Sequence, residues 1–384
     1  MYRSPRLDYI EDVQRYRPGG YHPVMLGDIL GKGYKVIHKL GYGGFATIWL
    51  TQASNHGKRY VALKVLVANA PHQELMFLRH LRDHNTTHPN IACLKEVFTI
   101  QGPNGLHHCL VFNAVEPSVE KIIYSKPLPA ALVHLTDSNV LFELSNINSW
   151  SEAQVYQYLG VPQTAPLQLR DGSTPPAFAP SQEVQAIQYT DLDESLLSGK
   201  ICIIDFGESF YINDPPTRFV GTPASFFAPE MLFGLPPSPA SDVWALRCLI
   251  FELQTLKPLI PVFFGRLDEA LAMIVTTLGP LPKAWQDSYF DKANLTVPQP
   301  GDKHPWFDNC YSLSRPIEPQ VRSSNPQLSP QDIDSFLDLL RGALRYEPDY
   351  RLSAKQVAMH EWFTKDLGEH NAKRPSDAPS MTEA

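Results

Sequence analysis

Ile37-His-Lys-Leu-Gly-Tyr-Gly-Gly-Phe-Ala-Thr-Ile-Trp-Leu50, followed by Val61-Ala-Leu-Lys-Val65, decides how this chain is read. Two apolar runs flank a tip built on Gly41, Gly43 and Gly44, and the second run sets a single lysine, Lys64, among apolar neighbours. Glycine carries no Cβ, so the backbone between two strands can fold over a triphosphate and offer it N–H donors at close range. Lys64 supplies a point charge for the phosphates, while Ile48 and Ala62 present apolar surface to a purine ring. A glycine pair in an apolar hairpin is weak evidence by itself. The lysine at the matching offset gives it meaning.

Further pieces follow along the chain. Glu74 stands in a stretch whose Leu75, Leu78 and Leu81 repeat at helical spacing, so the spacing predicts a helix that can pair Glu74 with Lys64. Then come His88-Pro-Asn-Ile91, the apolar strand Cys109-Leu-Val-Phe112, Ile203-Ile-Asp-Phe-Gly207, Ala228-Pro-Glu230, Ser241-Asp-Val-Trp-Ala245 and Arg351. Taken singly, Asp-Phe-Gly is a common turn and a late arginine is a solvated charge. In this order the set resembles the eukaryotic protein kinases. Tyr16-Arg-Pro-Gly-Gly-Tyr-His-Pro-Val24, the loop from Lys39 to Trp49 and Phe112 before the hinge are similar to the SR-protein kinase branch in its fungal form. The resemblance covers roughly Tyr9 to Phe363.

The resemblance implies an α+β bilobal fold: a small five-stranded antiparallel sheet with one helix, then a larger, mainly helical lobe. On that frame residues 1–33 are an N-terminal extension, 34–115 the small lobe, 116–365 the large lobe with an insertion over 143–199, and 366–384 a tail. It further implies Mg-ATP as cofactor and transfer of the γ-phosphoryl group to serine or threonine hydroxyls of Arg/Ser-rich proteins. The nucleotide would lie against Leu40, Gly41, Tyr42, Gly43, Gly44, Phe45, Ala46, Ile48, Ala62 and Lys64, with Asn113 and Val115 at the hinge. Lys64, Glu74, Asn139 and Asp205 would arrange the reaction, Asn139 and Asp205 holding magnesium. Glu230 and Arg351 would form a buried ion pair that fixes the activation segment, and Asp242 would tie down the catalytic-loop backbone. An unrelated small-molecule kinase is disfavoured by Ala228-Pro-Glu230 and Ser241-Asp-Val-Trp244.

Composition is compatible with this. A chain of 384 residues, 43% hydrophobic, can bury a large core. Its net charge of -7, from 33 basic and 40 acidic residues, argues against general nucleic-acid or membrane-surface binding and suits a basic protein substrate. Five cysteines, an odd number and mostly in apolar runs, argue against a disulfide framework. No apolar run reaches the ~18 residues needed to span a bilayer. The expectation is a cytoplasmic or nuclear monomer.

Two stretches read as irregular. Between Glu143 and Gly199 the chain holds Gln163-Thr-Ala-Pro and Gly172-Ser-Thr-Pro-Pro-Ala-Phe-Ala-Pro180, which reads as too proline-rich for regular structure. Only Ser151 to Leu159, with Ser151 as N-cap and Gly160 as stop, predicts a short helix. The insertion is either a docking or regulatory element or a tolerated surface loop. The tail from Gly368 is polar, without periodicity, and expected to be disordered.

The departures from the family are as informative as the match. Leu135-Thr-Asp-Ser-Asn-Val-Leu-Phe142 matches the end of the catalytic loop, with Asn139 in the magnesium-binding place. In the family an aspartate five positions earlier accepts the substrate's hydroxyl proton. Here that position is His134. Asp137, two residues before Asn139, would point elsewhere on a fixed loop of the family's kind. Only 24 positions separate Val115 from Asn139. A central helix of roughly 20 residues, ~30 Å long, cannot fit there. Leu128 to His134 resembles its first turns, and the junction with Leu135 reads as a lost segment, from an exon or in the gene model, between two intact flanks. Its loss would deprive Val243, Leu246, Leu249 and Ile250 of a packing partner, so the chain is expected to fold poorly. Arg247 stands where the family usually has glycine; buried and unpaired, its guanidinium would cost several kcal/mol, and reaching water on its stem it would cost little.

Overall fold

The computed structural model describes residues 2–54, 59–68, 70, 72–84, 88–118, 139–144, 147–188, 196–216, 221–282, 285 and 315–364. They divide into two compact units, Met1–Lys126 with Asp137–Ser209, and Pro127–Thr136 with Phe210–Ala384. The segment Leu128 to His134, Asp137 and the tail lie outside the described residues.

The first unit is built on an antiparallel sheet. Its strands are β1 (Ile29–Leu30), β2 (Tyr34–Gly43), β3 (Ala46–Ala53), β4 (Arg59–Leu66), β5 (Glu96–Gly102) and β6 (Gly105–Asn113), in the order β1-β2-β3-β4-β6-β5. Side chains alternate across a strand, and β4 shows the consequence. Val61, Leu63 and Val65 share one apolar cluster with Trp49, Val111 and Val24. Leu66 joins Leu75 and Leu78 of helix α1 (Gln73–Asp83) in another.

The sheet has six strands rather than five, because Ile29 and Leu30, expected in a separate extension, pair with Lys35 and Tyr34. Residues further upstream are bound in as well. Tyr2, Val13, Tyr16 and Tyr21 form an apolar cluster with Val67, Leu167 and Ala179. Buried Lys39 on β2 donates to the Glu11 carboxylate and, at 3.1 Å, to the Val184 carbonyl. One ammonium thus joins three distant stretches of chain.

The insertion corrects the expectation of irregular structure in part: residues 172–180 are turns and coil as expected, but the flanking residues are regular. Helix α2 (Glu152–Leu159) forms where its spacing predicts, with a capping box between Ser151 and Gln154 and Gly160 after its last residue at φ 84°. Beyond it, β9 (Thr164–Pro166) and β10 (Gln182–Val184) pair antiparallel. In a two-stranded ribbon every strand is an edge, where a proline such as Pro166 is tolerated. Leu144, Ile147, Val155, Leu159 and Ile187 share an apolar cluster with Ile37, Leu40, Leu50, Tyr60 and Ala62 of the main sheet. The Tyr60 N–H donates to Asn148 Oδ1 at 2.9 Å, and the Ile187 N–H to the Lys39 carbonyl at 3.0 Å. Apolar side chains that bury against the sheet outweigh a local composition unsuited to regular structure.

A third sheet, ordered β11-β8-β7, joins β7 (Val115–Ser118), β8 (Val140–Leu144) and β11 (Leu197–Ile203). It draws residues 137–209 into the first unit, so the division falls after Ser209 rather than at residue 115.

The second unit is helical where it is described: α3 (Pro229–Leu232), α4 (Pro239–Thr255), α5 (Leu267–Leu278), α6 (Ile317–Ser324), α7 (Pro330–Ala343), α8 (Ala354–Ala358) and α9 (Glu361–Thr364). Helix α4 is apolar nearly all round, the pattern of a central helix. Val243, Leu246, Leu249 and Ile250 are buried, contrary to the expectation that they lack a partner, because α4 packs against α6 and α7. Arg351 makes a bidentate pair with Glu230, at 2.7 and 2.5 Å, and also donates to the carbonyls of Ala240, Arg345 and Tyr346. That full set of partners is what a buried guanidinium requires. The catalytic-loop backbone assigned to Asp242 lies outside the described residues.

Candidate active site

Strand register sets the glycine loop beside the lysine. Gly41 faces Ile48 across β2 and β3, Ile48 faces Lys64 on β4, and Lys64 faces Leu110 on β6, forming one row across four strands. Two register shifts in β2, between Val36 and His38 and between Lys39 and Gly41, bend the strand as it enters the loop. Gly44 and Phe45 make the turn between paired Gly43 and Ala46. None of the three glycines has a positive φ. A Cβ on Gly43 would meet nothing within 4 Å, and on Gly41 only Ile48 Cδ1 at 3.8 Å. Their missing side chains leave open surface beside the backbone, the form that suits a phosphate chain.

Lys64 lies between two carboxylates. Its Nζ donates to Glu74 Oε1 at 2.7 Å and to Asp205 Oδ1 at 3.1 Å. Burial by itself would lower the Lys64 pKa, yet the two carboxylates outweigh it and hold that pKa above the ordinary lysine value. Burial pushes the Glu74 carboxyl up against the pull of that same ammonium. At 2.7 Å the charge-assisted bond decides, and the pair is ionic.

Glu74 comes from the first turn of α1, and a second contact fixes that end of the helix: Gln73 Nε2 donates to the Ser209 carbonyl at 2.5 Å. Asp205 follows β11. The Ile204 N–H donates to the Asn139 carbonyl at 2.9 Å, and Ile203 exchanges backbone bonds with Asn90 and Ala92. Backbone pairing thus brings Asn139 and Asp205 to the same end of the small sheet. Asp205 holds φ 63° without being glycine, a strained conformation of the kind that clusters at functional sites. Its side chain is 49% exposed, in contrast to the enclosed Glu74.

The remaining nucleotide candidates separate. Tyr42 and Phe45 are exposed at the loop, and Ala46 is buried under it. Leu40 and Ala62, both expected against the nucleotide, are only 2% and 6% exposed, because the insertion's apolar residues close over their cluster. Ile48 and Phe112 are half-buried on that cluster. Asn113 ends β6 opposite Val61, and Val115 opens β7 opposite Glu143. Sequence reasoning overlooked the stack of Phe77 on Phe206, ring centroids 5.8 Å apart, which joins α1 to the residue after Asp205. Only the helical phase of Phe77 beside Glu74 could have pointed to it.

A family model described as protein kinase domain matches residues 185–363. A serine/threonine protein kinase of Aspergillus fumigatus is 25% identical over 379 residues, covering 92% of this chain and 90% of its own. The serine/threonine-protein kinase SRPK of Physarum polycephalum is 24% identical over 399 residues, covering 92% and 91%. Residues 185–363 carry the protein kinase domain, and the similarity to these kinases runs along nearly the whole chain. Human dual specificity protein kinase CLK1, 25% identical over 349 residues with 88% and 67% covered, agrees with the SRPK and CLK branch of that family. Protein kinases in general use ATP and a divalent metal. In this chain, Lys64, Glu74 and Asp205 are the three candidates that the first unit brings into direct contact.

Proposed function

We propose that this chain is a Mg-ATP-dependent serine/threonine kinase acting on Arg/Ser-rich proteins, with a transfer step slowed by the missing aspartate. The observation that carries the reading is the Lys64 ammonium held between Glu74 and Asp205. Bound Mg-ATP would supply the phosphoryl group and the metal charge that offsets its negative oxygens. Asp205 and Asn139 would hold the metal, Lys64 would meet the phosphates, and Glu74 would keep Lys64 oriented. The open loop backbone around Gly43 would add N–H donors. The substrate class rests on similarity to the SRPK and CLK kinases and on the net charge of -7, which favours a basic partner.

A second reading is a catalytically inactive relative or truncated gene product that still binds nucleotide and acts as a binding or scaffold protein, favoured by His134 in the place of the base. Nucleotide binding is common to both and is tested first. Mg-ATP is expected to raise the Tm of the wild-type chain and to leave Lys64→Met unmoved. Equal shifts in the two proteins, or none in either, would sink the nucleotide site.

A further inference from the structure

Tyr21 is buried, and its hydroxyl donates to the Gly43 carbonyl at 2.8 Å, at the tip of the glycine loop. Arg15 Nη1 donates to the same phenol oxygen at 3.1 Å, and the guanidinium lies 4.7 Å from the centroid of the Tyr21 ring. That guanidinium also reaches the loop, since a Cβ on Gly44 would stand 3.8 Å from Arg15 Nη1. Burial raises the Tyr21 pKa, with Arg15 opposing, so the phenol keeps the proton it donates.

The turn that delivers Tyr21 is built for the purpose by the chain around it. A Cβ on Gly20 would fall 1.8 Å from the Arg15 carbonyl oxygen, so only glycine closes the turn from Arg15 to Tyr21. The Tyr21 N–H donates to that same carbonyl, at 3.2 Å. Asn104, buried in the turn between β5 and β6, donates to the Tyr21 carbonyl at 2.6 Å and to the Phe178 carbonyl of the insertion at 2.8 Å. Asn104 therefore ties the Tyr21 backbone to the β5–β6 turn and, through the same amide, to the insertion.

A peptide group is planar and trans, so its C=O and N–H point in opposite directions. The carbonyl of Gly43 and the N–H of Gly44 belong to one such plane. With glycine on both sides, that plane has little steric resistance to flipping. A hydrogen bond on the Gly43 carbonyl therefore aims the Gly44 N–H away from Tyr21. We propose that Tyr21, backed by Arg15, is a positioning residue of the nucleotide loop: it holds the Gly43–Gly44 peptide so that its N–H is presented to the phosphates of a bound nucleotide. This rests on the nucleotide-binding reading above.

The test uses the full chain and Tyr21→Phe, which keeps the buried ring and removes only the hydroxyl. Hydrogen–deuterium exchange of the nucleotide-free proteins reads the clamp directly. The segment 41–46 is expected to exchange several-fold faster in Tyr21→Phe, with the sheet strands β4 and β6 unchanged; unchanged exchange at the loop would overturn the proposal. Binding then reads its consequence. The affinity for Mg-ATP is expected to fall about three- to tenfold, the worth of one hydrogen bond, while the affinity for adenosine, which lacks phosphates, stays the same. Equal losses for ATP and adenosine, or no loss for ATP, would show that Tyr21 acts only as packing. If the wild-type chain binds no ATP, the nucleotide reading itself fails, and the exchange experiment alone decides whether Tyr21 holds the loop.

Discussion

Arg247 sits in the middle of α4 with 0% of its surface exposed, and none of its three guanidinium nitrogens has a hydrogen-bond partner among the described residues. Burial pushes its pKa down to about 9. Of the two outcomes the sequence left open, burial and escape to water, the structure takes the costly one. Arg351 in the same unit makes the contrast, since it satisfies its guanidinium on a carboxylate and three carbonyls. A buried charge with no partner costs about 3 to 5 kcal/mol, while trimming the stem to alanine loses part of its packing. Arg247→Ala is therefore expected to stabilise the second unit, by about 1 to 3 kcal/mol. Urea unfolding of the two proteins checks this, and a lower midpoint for Arg247→Ala would mean that the guanidinium has a partner.

Among the secondary-structure elements, those with a local signal could be read in advance and those made by burial could not. Helix α1 follows from Leu75, Leu78 and Leu81, and α2 from the capping box of Ser151 and Gln154. The Lys64–Glu74 contact follows from the two motifs taken together. Strands β9 and β10 have three residues each and include Pro166, too short to show a period of two. They are ordered by what lies beside them, notably the Lys39 ammonium on the Val184 carbonyl. Tyr21 stands 22 residues from Gly43 with no pattern to connect them. The insertion also decides whether Leu40 and Ala62 are open, since its apolar side chains share their cluster. Of its two readings, a tolerated surface loop could be trimmed without loss. Leu159 is 5% exposed in that cluster, so Leu159→Ala is expected to cost about 2 to 5 kcal/mol of the first unit's stability. A change in the denaturation midpoint within error of zero would restore the surface-loop reading.

Within each unit the parts that hold a kinase together are in place: Lys64 with Glu74 and Asp205 in the first, Arg351 with Glu230 in the second. What the chain lacks is an aspartate at position 134 to take the proton from a substrate hydroxyl. Phosphoryl transfer draws most of its acceleration from positioning and electrostatics, so loss of the base slows the step without abolishing it. General-base assistance is worth about 10² to 10⁴-fold. The shortened stretch between Val115 and Asn139 adds to this, because the same loop should place the substrate hydroxyl. Phosphorylation of an Arg/Ser-rich peptide by the 384-residue chain is therefore expected at least ~10³-fold below that of a protein in which the segment before Leu135 is restored with a His-Arg-Asp loop. Asp205→Asn in the restored protein is expected to abolish activity by removing the carboxylate proposed to hold the metal, which separates true transfer from a contaminating kinase. Robust activity from the unrestored chain, lost on Asp205→Asn, would instead mean that another group, with Asp137 the nearest carboxylate in sequence, accepts the proton.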